Sequence, residues 1–302
     1  MTKTKGILLI MMASSIFGLM PLFARIGTSN GLNSITIIMF RSFFASIFLY
    51  LYMRKKGIDR KVDKSLFKDL VLVSFFGYGL MLLTMFSSYN YLPTGIATTI
   101  HFVYPAVVLI GSVIFHKEKL TIEKIGIVLA AFAGIYLLSA ESGRISISIV
   151  GFLLAFISGV FYAYYILKVS YSNLKAMNSY VLVFHISMHN FFYFLITALL
   201  TNTLTLDITI IAYLDVILLA MFSIVAMSAF KTGLNYISSW SAAILSSFEP
   251  LTSILVGVII FKETFNIRNF FGTGIIILSV VYIALIEKRN EVRLKSVKTS
   301  VK

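Results

Sequence analysis

The stretch NYLPTGIATTIHFVYPAVVLIGSVIFHKE at residues 90–118 decides the fold, together with NYISSWSAAILSSFEPLTSILVGVIIFKE at residues 235–263. A shift of 145 residues aligns the two stretches, and the same shift pairs Gly6 with Gly151. Apolar composition alone would match leucine or valine, but not N-Y, a mid-span proline and K-E in one register. The chain therefore contains an internal repeat. The identical pairs include Asn90/Asn235, Tyr91/Tyr236, Ala97/Ala242, Pro105/Pro250, Val113/Val258, Lys117/Lys262 and Glu118/Glu263.

The composition around this repeat is that of a membrane protein. The 302 residues are 59% hydrophobic and 13% charged, with a mean hydropathy of +0.93. Soluble domains are about 45–50% apolar and about 25% charged, so a soluble globule of this sequence would expose large apolar patches. The sequence has no cysteine, which excludes disulfides, cysteine metal sites and thiol catalysis. A soluble enzyme, a secreted disulfide-rich domain and a disordered chain are therefore excluded.

Ten apolar runs along the chain are long enough to cross a bilayer. A transmembrane helix needs roughly 20 apolar residues, whereas the strands of a membrane barrel would show short alternating segments. The sequence thus predicts an all-α integral membrane protein with ten transmembrane helices and no soluble domain. The predicted spans are 6–26, 34–53, 69–89, 93–115, 122–140, 149–168, 178–200, 210–232, 238–261 and 268–286.

Basic residues are concentrated in the loops on one side of these spans. They lie mainly in residues 54–68 and in the tail from residue 288. Because Lys and Arg are retained on the cytoplasmic side, both termini are predicted to be cytoplasmic, in a multi-pass protein of the cell membrane. The net charge of +14 is explained in this way without a nucleic-acid partner. The first span is too long for a signal peptide and lacks a clear cleavage site, so we expect it to be retained.

Each repeat contains five spans, an odd number, so the two repeats are predicted to have opposite orientations. We place the first repeat at residues 1–145 and the second, with its basic cytoplasmic tail, at residues 146–302. Secondary transporters use inverted repeats that rock around a site near the middle of the bilayer. A receptor or a membrane enzyme has no comparable need of inverted halves, so the repeat favours transport.

The paired stretches resemble the EamA family of the drug/metabolite transporter superfamily, and the resemblance covers essentially the whole chain. The family pattern places a glutamate after the fourth and ninth spans and a glycine early in the next span. Glu118 with Gly126, and Glu263 with Gly272, are similar to this pattern. The resemblance implies a ten-helix metabolite exporter, whose relatives export amino acids, drugs or other metabolites. The stretches that carry it are N-Y-L-P at 90–93, H-F-V-Y-P at 101–105, F-H-K-E-K-L at 115–120, G-L-N-Y-I-S at 233–238, S-S-F-E-P at 246–250 and F-K-E at 261–263.

Ionisable side chains at membrane depth are costly, so they are the first candidates for a substrate site. Arg41 would bind a substrate carboxylate, or it would pair with a backbone carbonyl or snorkel outward. Glu249, beside Pro250, would meet an amine or a proton, or it would only satisfy the break that the proline makes in the helix. Lys231 would bind an anion, neutralise Glu249 or snorkel to the inner surface. His101 would contact substrate or shuttle a proton, or its hydrogen bonds would be made by a neighbouring helix.

Tyrosines and helix breaks complete the candidate cavity. Tyr162 and Tyr165 share one face of the sixth span, while Tyr78 and Tyr104 lie in the third and fourth spans. Tyrosine combines an apolar body with a polar tip, which suits a mixed cavity, although ordinary packing is the alternative for each of them. The helix-break candidates are Pro105 and Pro250.

Other motifs point to no further chemistry. His185 and His189 share one helical face, but no carboxylate or cysteine accompanies them, so no metal site is predicted. Glu118 and Glu263 lie in short turns between spans and are interpreted as turn-forming residues. The sequence has no P-loop, G-x-S-x-G or H-E-x-x-H motif, so it predicts no enzyme, no ATP-driven step and no cofactor.

The sequence therefore predicts a secondary transporter that exports a small polar metabolite by alternating access. An amino acid or a related compound is the leading substrate, with either a coupling proton or uncoupled diffusion. The expected partners are this small molecule and the lipid bilayer, with the chain as a monomer or homodimer. A multidrug exporter of lipophilic cations and a non-transporting sensor or scaffold are the alternatives. Arg41 and Lys231 argue against the first, because they would repel a cation.

Overall fold

The fold was analysed in a computed structural model of the chain, which describes residues 3–92, 94–139, 148–260 and 266–300. Within these ranges the regular structure is entirely helical. The predicted repeat boundary at residues 145 and 146, and the Lys262–Glu263 pair, lie outside the described residues. The helices are α1 Lys3–Ser29, α2 Ser34–Lys56, α3 Lys64–Leu72, α4 Leu80–Ser88, α5 Thr94–His101, α6 Tyr104–His116, α7 Ile122–Ser139, α8 Ile149–Tyr171, α9 Ser179–Leu200, α10 Ile210–Gly233, α11 Ser239–Leu245, α12 Phe248–Ile260 and α13 Ile267–Ser300.

These helices follow the ten predicted spans in order. Eight helical segments in the described part of the chain are long and apolar enough to cross a membrane. The two remaining predicted spans correspond to α7 and to the pair α11–α12. The prediction of an all-helical, multi-pass membrane protein is confirmed.

Three of the spans depart from a continuous α-helix. The third is α3 and α4 joined by a π-helical segment, Val73–Gly79, and such segments are frequent at functional sites. The fourth breaks between His101 and Tyr104, and the ninth breaks between Leu245 and Phe248. Pro105 is the second residue of the helix after its break, and Pro250 is the third. Proline suits the first turn of the helix that follows, because its missing N–H would have no partner there in any case.

The two repeats interlock through the packing of their first helices. In the first repeat, α1 packs against α10 and α12 of the second repeat. In the second repeat, α8 packs against α4, α5 and α6 of the first. The pairs α2–α9 and α7–α13 join equivalent helices across the repeats. The two halves therefore form one bundle with an internal pseudo-symmetry.

Two glycine contacts show this pseudo-symmetry residue by residue. A Cβ atom added at Gly6 would lie 2.7 Å from the Cβ of Tyr236, and one added at Gly151 would lie 2.7 Å from the Cβ of Tyr91. The 145-residue shift that aligns the sequence halves converts the first contact into the second. Glycine at these positions lets each repeat's first helix approach the other repeat closely, as small residues do in membrane helix packing.

We expect Gly6→Ala and Gly151→Ala each to destabilise the protein by about 1–3 kcal/mol, because the added methyl group overpacks a tight helix contact. Gly126→Ala is the matched control, since a Cβ there has no heavy atom within 4 Å and alanine favours the helix. Thermal unfolding in detergent measures the effect. Equal melting temperatures for all three variants would contradict this packing.

Polar contacts identify two ends of the bundle. One end is called here the basic end. There Lys168 pairs with Asp69 at 2.8 Å. The basic end contains Lys3, residues 54–68, 116–124, 168–179 and 231–239, and Glu287. The other, called here the opposite end, contains residues 28–34, 88–92 and 200–210. There Thr36 donates to the carbonyl oxygen of Thr203 at 3.1 Å. Helix α1 runs from the basic end to the opposite end, and its repeat partner α8 runs the other way.

Candidate functional site

A cavity of about 600 Å³ lies between the repeats. Its wall is formed by the parts of α1, α2, α4 and α12 nearest the opposite end, and it reaches inward to Tyr162 of α8 and to the helix breaks. This volume lies within the range of sites that bind small molecules. Five of the predicted site residues line it. They are Arg41, Tyr78, His101, Tyr162 and Glu249.

Arg41 supplies a positive charge to the cavity wall. It lies seven residues into α2, about 10 Å along the helix from Ser34, and it is 8% exposed. Its guanidinium carbon is 5.9 Å from the ring centroid of Tyr78, within the range of a cation–π contact. The π-helical segment that ends at Gly79 contains this tyrosine. The guanidinium therefore stands beside an aromatic ring at membrane depth.

Glu249 supplies a carboxyl group from the first turn of α12. Its backbone N–H donates to the carbonyl oxygen of Ser246 at 2.9 Å, across the break in the ninth span. The amino end of a helix carries a partial positive charge that favours a carboxylate. The break thus places an acidic group in the cavity wall near the middle of the bundle.

Neither charged group of the cavity is neutralised by another side chain in the described part of the protein. The ion pairs there are Lys3–Glu287, Lys124–Glu118 and Lys168–Asp69, all at the basic end. Among the described residues, Arg41 and Glu249 form no ion pair with each other or with a third group. The cavity therefore presents one positive and one negative group that are both available to a ligand.

The five aromatic candidates form one contiguous cluster at the inner end of the cavity. The ring of Tyr162 lies 5.7 Å from His101, 4.8 Å from Tyr104 and 5.9 Å from Tyr165. Tyr78 lies 5.7 Å from Tyr165 and completes the cluster. Tyr104 and Tyr165 are almost fully buried behind the cavity lining. They support the wall, whereas Tyr78, His101 and Tyr162 form part of its surface.

His101 is held in one orientation by α8. Its Nδ1 lies 2.8 Å from the hydroxyl of Ser158, and that hydroxyl is 2.6 Å from the carbonyl oxygen of Ala155. Because the single hydroxyl proton goes to the carbonyl, Nδ1 is the donor toward Ser158. This hydrogen bond ties the end of α5 to the second repeat.

The structure gives Lys231 a position away from the cavity. Its Nζ donates to the carbonyl oxygens of Lys175 and Met177 at 2.7 and 2.6 Å, and to Asn235 at 3.4 Å. The side chain is fully buried, so it does not snorkel to the surface. Lys231 is not among the residues that line the cavity, and its ammonium group donates to oxygens of the neighbouring chain instead. Lysine here fixes the connection between α8 and α9.

We expect Lys231→Met to lower the melting temperature of the protein and to leave ligand affinity per folded molecule unchanged. The substitution leaves two buried carbonyl groups without their donor, at about 1–3 kcal/mol for each unsatisfied group. Thermal unfolding and ligand titration of the same preparation separate the two effects. Loss of binding at an unchanged melting temperature would show that Lys231 binds the substrate.

Asp215 is an ionisable residue of the bundle that the sequence reasoning missed. It lies in α10, is 4% exposed, and its Oδ2 has no hydrogen-bond partner among the described residues. A Cβ added at Gly27 of α1 would lie 2.9 Å from this oxygen. The criterion of an acidic residue inside an apolar span would have found it.

The histidine pair on α9 has separate hydrogen-bond partners. His185 Nε2 lies 3.0 Å from the carbonyl oxygen of Arg60, and His189 Nδ1 lies 3.0 Å from the hydroxyl of Ser74. In the described part of the chain, no group of three potential metal ligands occurs. These contacts join α9 to the chain around α3.

A two-repeat helical bundle, with a cavity that contains charged side chains beside its broken helices, is the architecture of a multi-pass membrane transporter. The model of the EamA-like transporter family matches residues 4–140 and again residues 149–285. The chain belongs to this family, within the drug/metabolite transporter superfamily. The two matches correspond to the two repeats of the bundle.

Two individual comparisons agree with this assignment. An uncharacterized transporter of Methanothermobacter thermautotrophicus is 38% identical over 72 residues, which is 24% of this chain and 21% of the relative's length. A solved structure titled only as a crystal structure of a protein matches with a TM-score of 0.82 and 14% identity, covering 95% of this chain and 99% of that one. The second comparison shows the shared fold.

Proposed function

We propose that the protein exports a zwitterionic amino acid, or a closely related compound, across the cell membrane by alternating access. One observation carries this proposal: Arg41 and Glu249 line the same cavity, and in the described part of the chain neither has a charged partner. Burying unpaired charges in a membrane bundle is costly. A ligand with one carboxylate and one ammonium group would satisfy both.

The roles of the wall residues follow from their chemistry. The guanidinium of Arg41 binds the substrate carboxylate through two parallel hydrogen bonds, the geometry in which arginine exceeds lysine. Glu249 accepts hydrogen bonds from the ammonium group. The rings of Tyr78 and Tyr162 and the methionines nearby hold the substrate side chain. The proposed transport unit is a monomer or a homodimer.

The direction of access follows from the charge distribution. Since basic loops stay in the cytoplasm, we assign the basic end to the cytoplasmic side. The cavity wall belongs to the opposite end, so the structure corresponds to an outward-facing state. Export is proposed from the resemblance to exporters. We propose no catalytic step and no cofactor.

A thermal-shift screen of the purified protein tests the proposed substrate class. Amino acids, amines, nucleosides and lipophilic cations are added in turn, and a binder stabilises the folded state according to its concentration and affinity. We expect stabilisation by zwitterionic amino acids, but not by the matching amines that lack a carboxylate. Stabilisation by lipophilic cations alone would instead establish a drug exporter, and stabilisation by no compound would favour a sensor or scaffold.

A further inference from the structure

A cluster of polar side chains lies at the basic end, where α6, α8 and α11 contact one another. Tyr171, the last residue of α8, donates a short hydrogen bond to Glu118, and Ser239 at the start of α11 donates to the Tyr171 hydroxyl at 3.0 Å. Ser112 of α6 lies 3.2 Å from Ser239. Glu118 also pairs with Lys124 of α7 at 3.1 Å. We call these five residues the basic-end cluster.

Ring contacts make the cluster compact. The ring of His116 stacks on that of Tyr171 with centroids 3.7 Å apart and planes 9° from parallel. The ammonium of Lys124 lies 4.9 Å from the ring centroid of Trp240, which is 5% exposed. Ser112 and Ser239 are 0% and 2% exposed. The two serines of the cluster are therefore shielded from solvent.

The cluster joins helices of both repeats. It ties α6 and α7 of the first repeat to α8 and α11 of the second. Tyr171 lies nine residues beyond Tyr162 on α8, about 13 Å along the helix from the inner end of the cavity. A path from the cavity to the basic end must pass between these helices. The hydrogen bonds of the cluster must then break.

A second polar network lies at the same helix end. The buried carboxylate of Glu287 in α13 pairs with Lys3 and accepts hydrogen bonds from Ser238 and Ser241 at 2.9 and 2.7 Å. Ser238 caps α11 and precedes Ser239 of the cluster. The start of α11 is thus held from two sides.

The repeat partner of the tyrosine differs at the opposite end. The 145-residue shift relates Tyr171 to Ile26 and Ser239 to Thr94. Isoleucine cannot make the hydrogen bonds that the tyrosine hydroxyl makes. The hydrogen bonds of the Tyr171 hydroxyl therefore have no equivalent at Ile26, and the pseudo-symmetry of the fold does not require them.

We propose that the basic-end cluster is the cytoplasmic gate of the transporter and that Tyr171 is its central positioning residue. The gate is closed in the outward-facing state, through the contacts that Tyr171 makes with Glu118 and Ser239. It opens by release of these hydrogen bonds, which frees α11 and α6 from each other. This proposal rests on the proposed transport function, and its test includes a readout that needs no substrate.

A disulfide across the cluster tests the gate directly. The chain has no native cysteine, so Ser112→Cys/Ser239→Cys introduces a unique pair whose side chains replace hydroxyls 3.2 Å apart. In liposomes we expect oxidation to reduce amino-acid flux at least tenfold and reductant to restore it. Binding from the opposite end should persist in the oxidised protein. Equal flux in the oxidised and reduced forms would overturn the proposal.

The matched control is Ser179→Cys/Thr232→Cys. These two hydroxyls are 2.8 Å apart and join α9 to α10 within the second repeat, close to the basic end. Oxidation of this pair should leave flux unchanged. Loss of flux in the control as well would overturn the assignment of the gate to the basic-end cluster.

The substrate-independent readout is alkylation of Ser112→Cys, with and without Tyr171→Phe. The phenylalanine keeps the ring stacked on His116 and removes only the hydroxyl. Because a hydrogen bond to a charged group is lost, we expect a soluble maleimide to label the cysteine at least about tenfold faster in the Tyr171→Phe background. An unchanged labelling rate would show that Tyr171 does not hold the gate. This result is independent of whether amino acids are the substrate.

Discussion

Arg41→Gln is expected to weaken amino-acid binding by at least about 30-fold. Removing one partner of a buried charge pair costs about 2–5 kcal/mol, and each 1.4 kcal/mol is a factor of ten in affinity. Glutamine keeps much of the length and polarity of the side chain, so the change isolates the charge. The measurement is a titration of purified protein with the amino acid that stabilises it most in the thermal-shift screen.

Two comparisons make the Arg41 result specific. Arg41→Lys keeps the charge but loses the two parallel hydrogen bonds, so we expect an intermediate loss of about tenfold. The matching amine without a carboxylate should bind the wild type and Arg41→Gln with similarly low affinity. Tighter binding of lipophilic cations to Arg41→Gln, with no change for amino acids, would instead favour the drug exporter.

Glu249→Gln is expected to abolish amino-acid flux. The variant cannot form the ionic contact with the ammonium group, although the break in the ninth span remains because Pro250 is unchanged. We expect at least about a 30-fold fall in affinity, by the same reasoning that applies to Arg41. Flux into liposomes and binding are measured on the same preparation.

A pH gradient across the liposomes tests whether transport is coupled to a proton. If the carboxyl group of Glu249 carries a coupling proton, wild-type protein accumulates substrate against its gradient, whereas without coupling it only equilibrates the substrate. Glu249→Asp is the control, since it keeps an ionisable group on a shorter side chain. Concentrative uptake by Glu249→Gln would show that this residue neither couples a proton nor binds the ammonium group.

The ten spans and the two-repeat organisation were accessible from the sequence for a simple physical reason. A helix in lipid must be apolar over its whole length, so the pattern of apolar runs reports the spans directly. The helix breaks before Pro105 and Pro250 lie where proline chemistry predicts them. The grouping of Arg41 and Glu249 in one cavity follows from the packing of α1 against both α2 and α12, which no local sequence pattern specifies.

Other features needed the three-dimensional structure. The depth of Lys231 in its span makes it a candidate substrate ligand. In the structure its ammonium group donates hydrogen bonds to the carbonyl oxygens of Lys175 and Met177. Glu118 is more than a turn residue, because Tyr171 from the second repeat reaches it. The composition of the segment Val73–Gly79 does not mark it as π-helical. In the structure α8 and α9 pack against this segment. Such contacts join residues far apart in sequence, where periodicity carries no information.

The central claim is that a zwitterion crosses the membrane through the cavity formed by Arg41 and Glu249. The most direct test is the flux of radiolabelled amino acids into liposomes that contain the purified wild type, Arg41→Gln or Glu249→Gln. We expect saturable flux for the wild type and flux near the level of empty liposomes for both variants. Saturable flux of equal size in all three, or no amino-acid flux in the wild type, would contradict the claim.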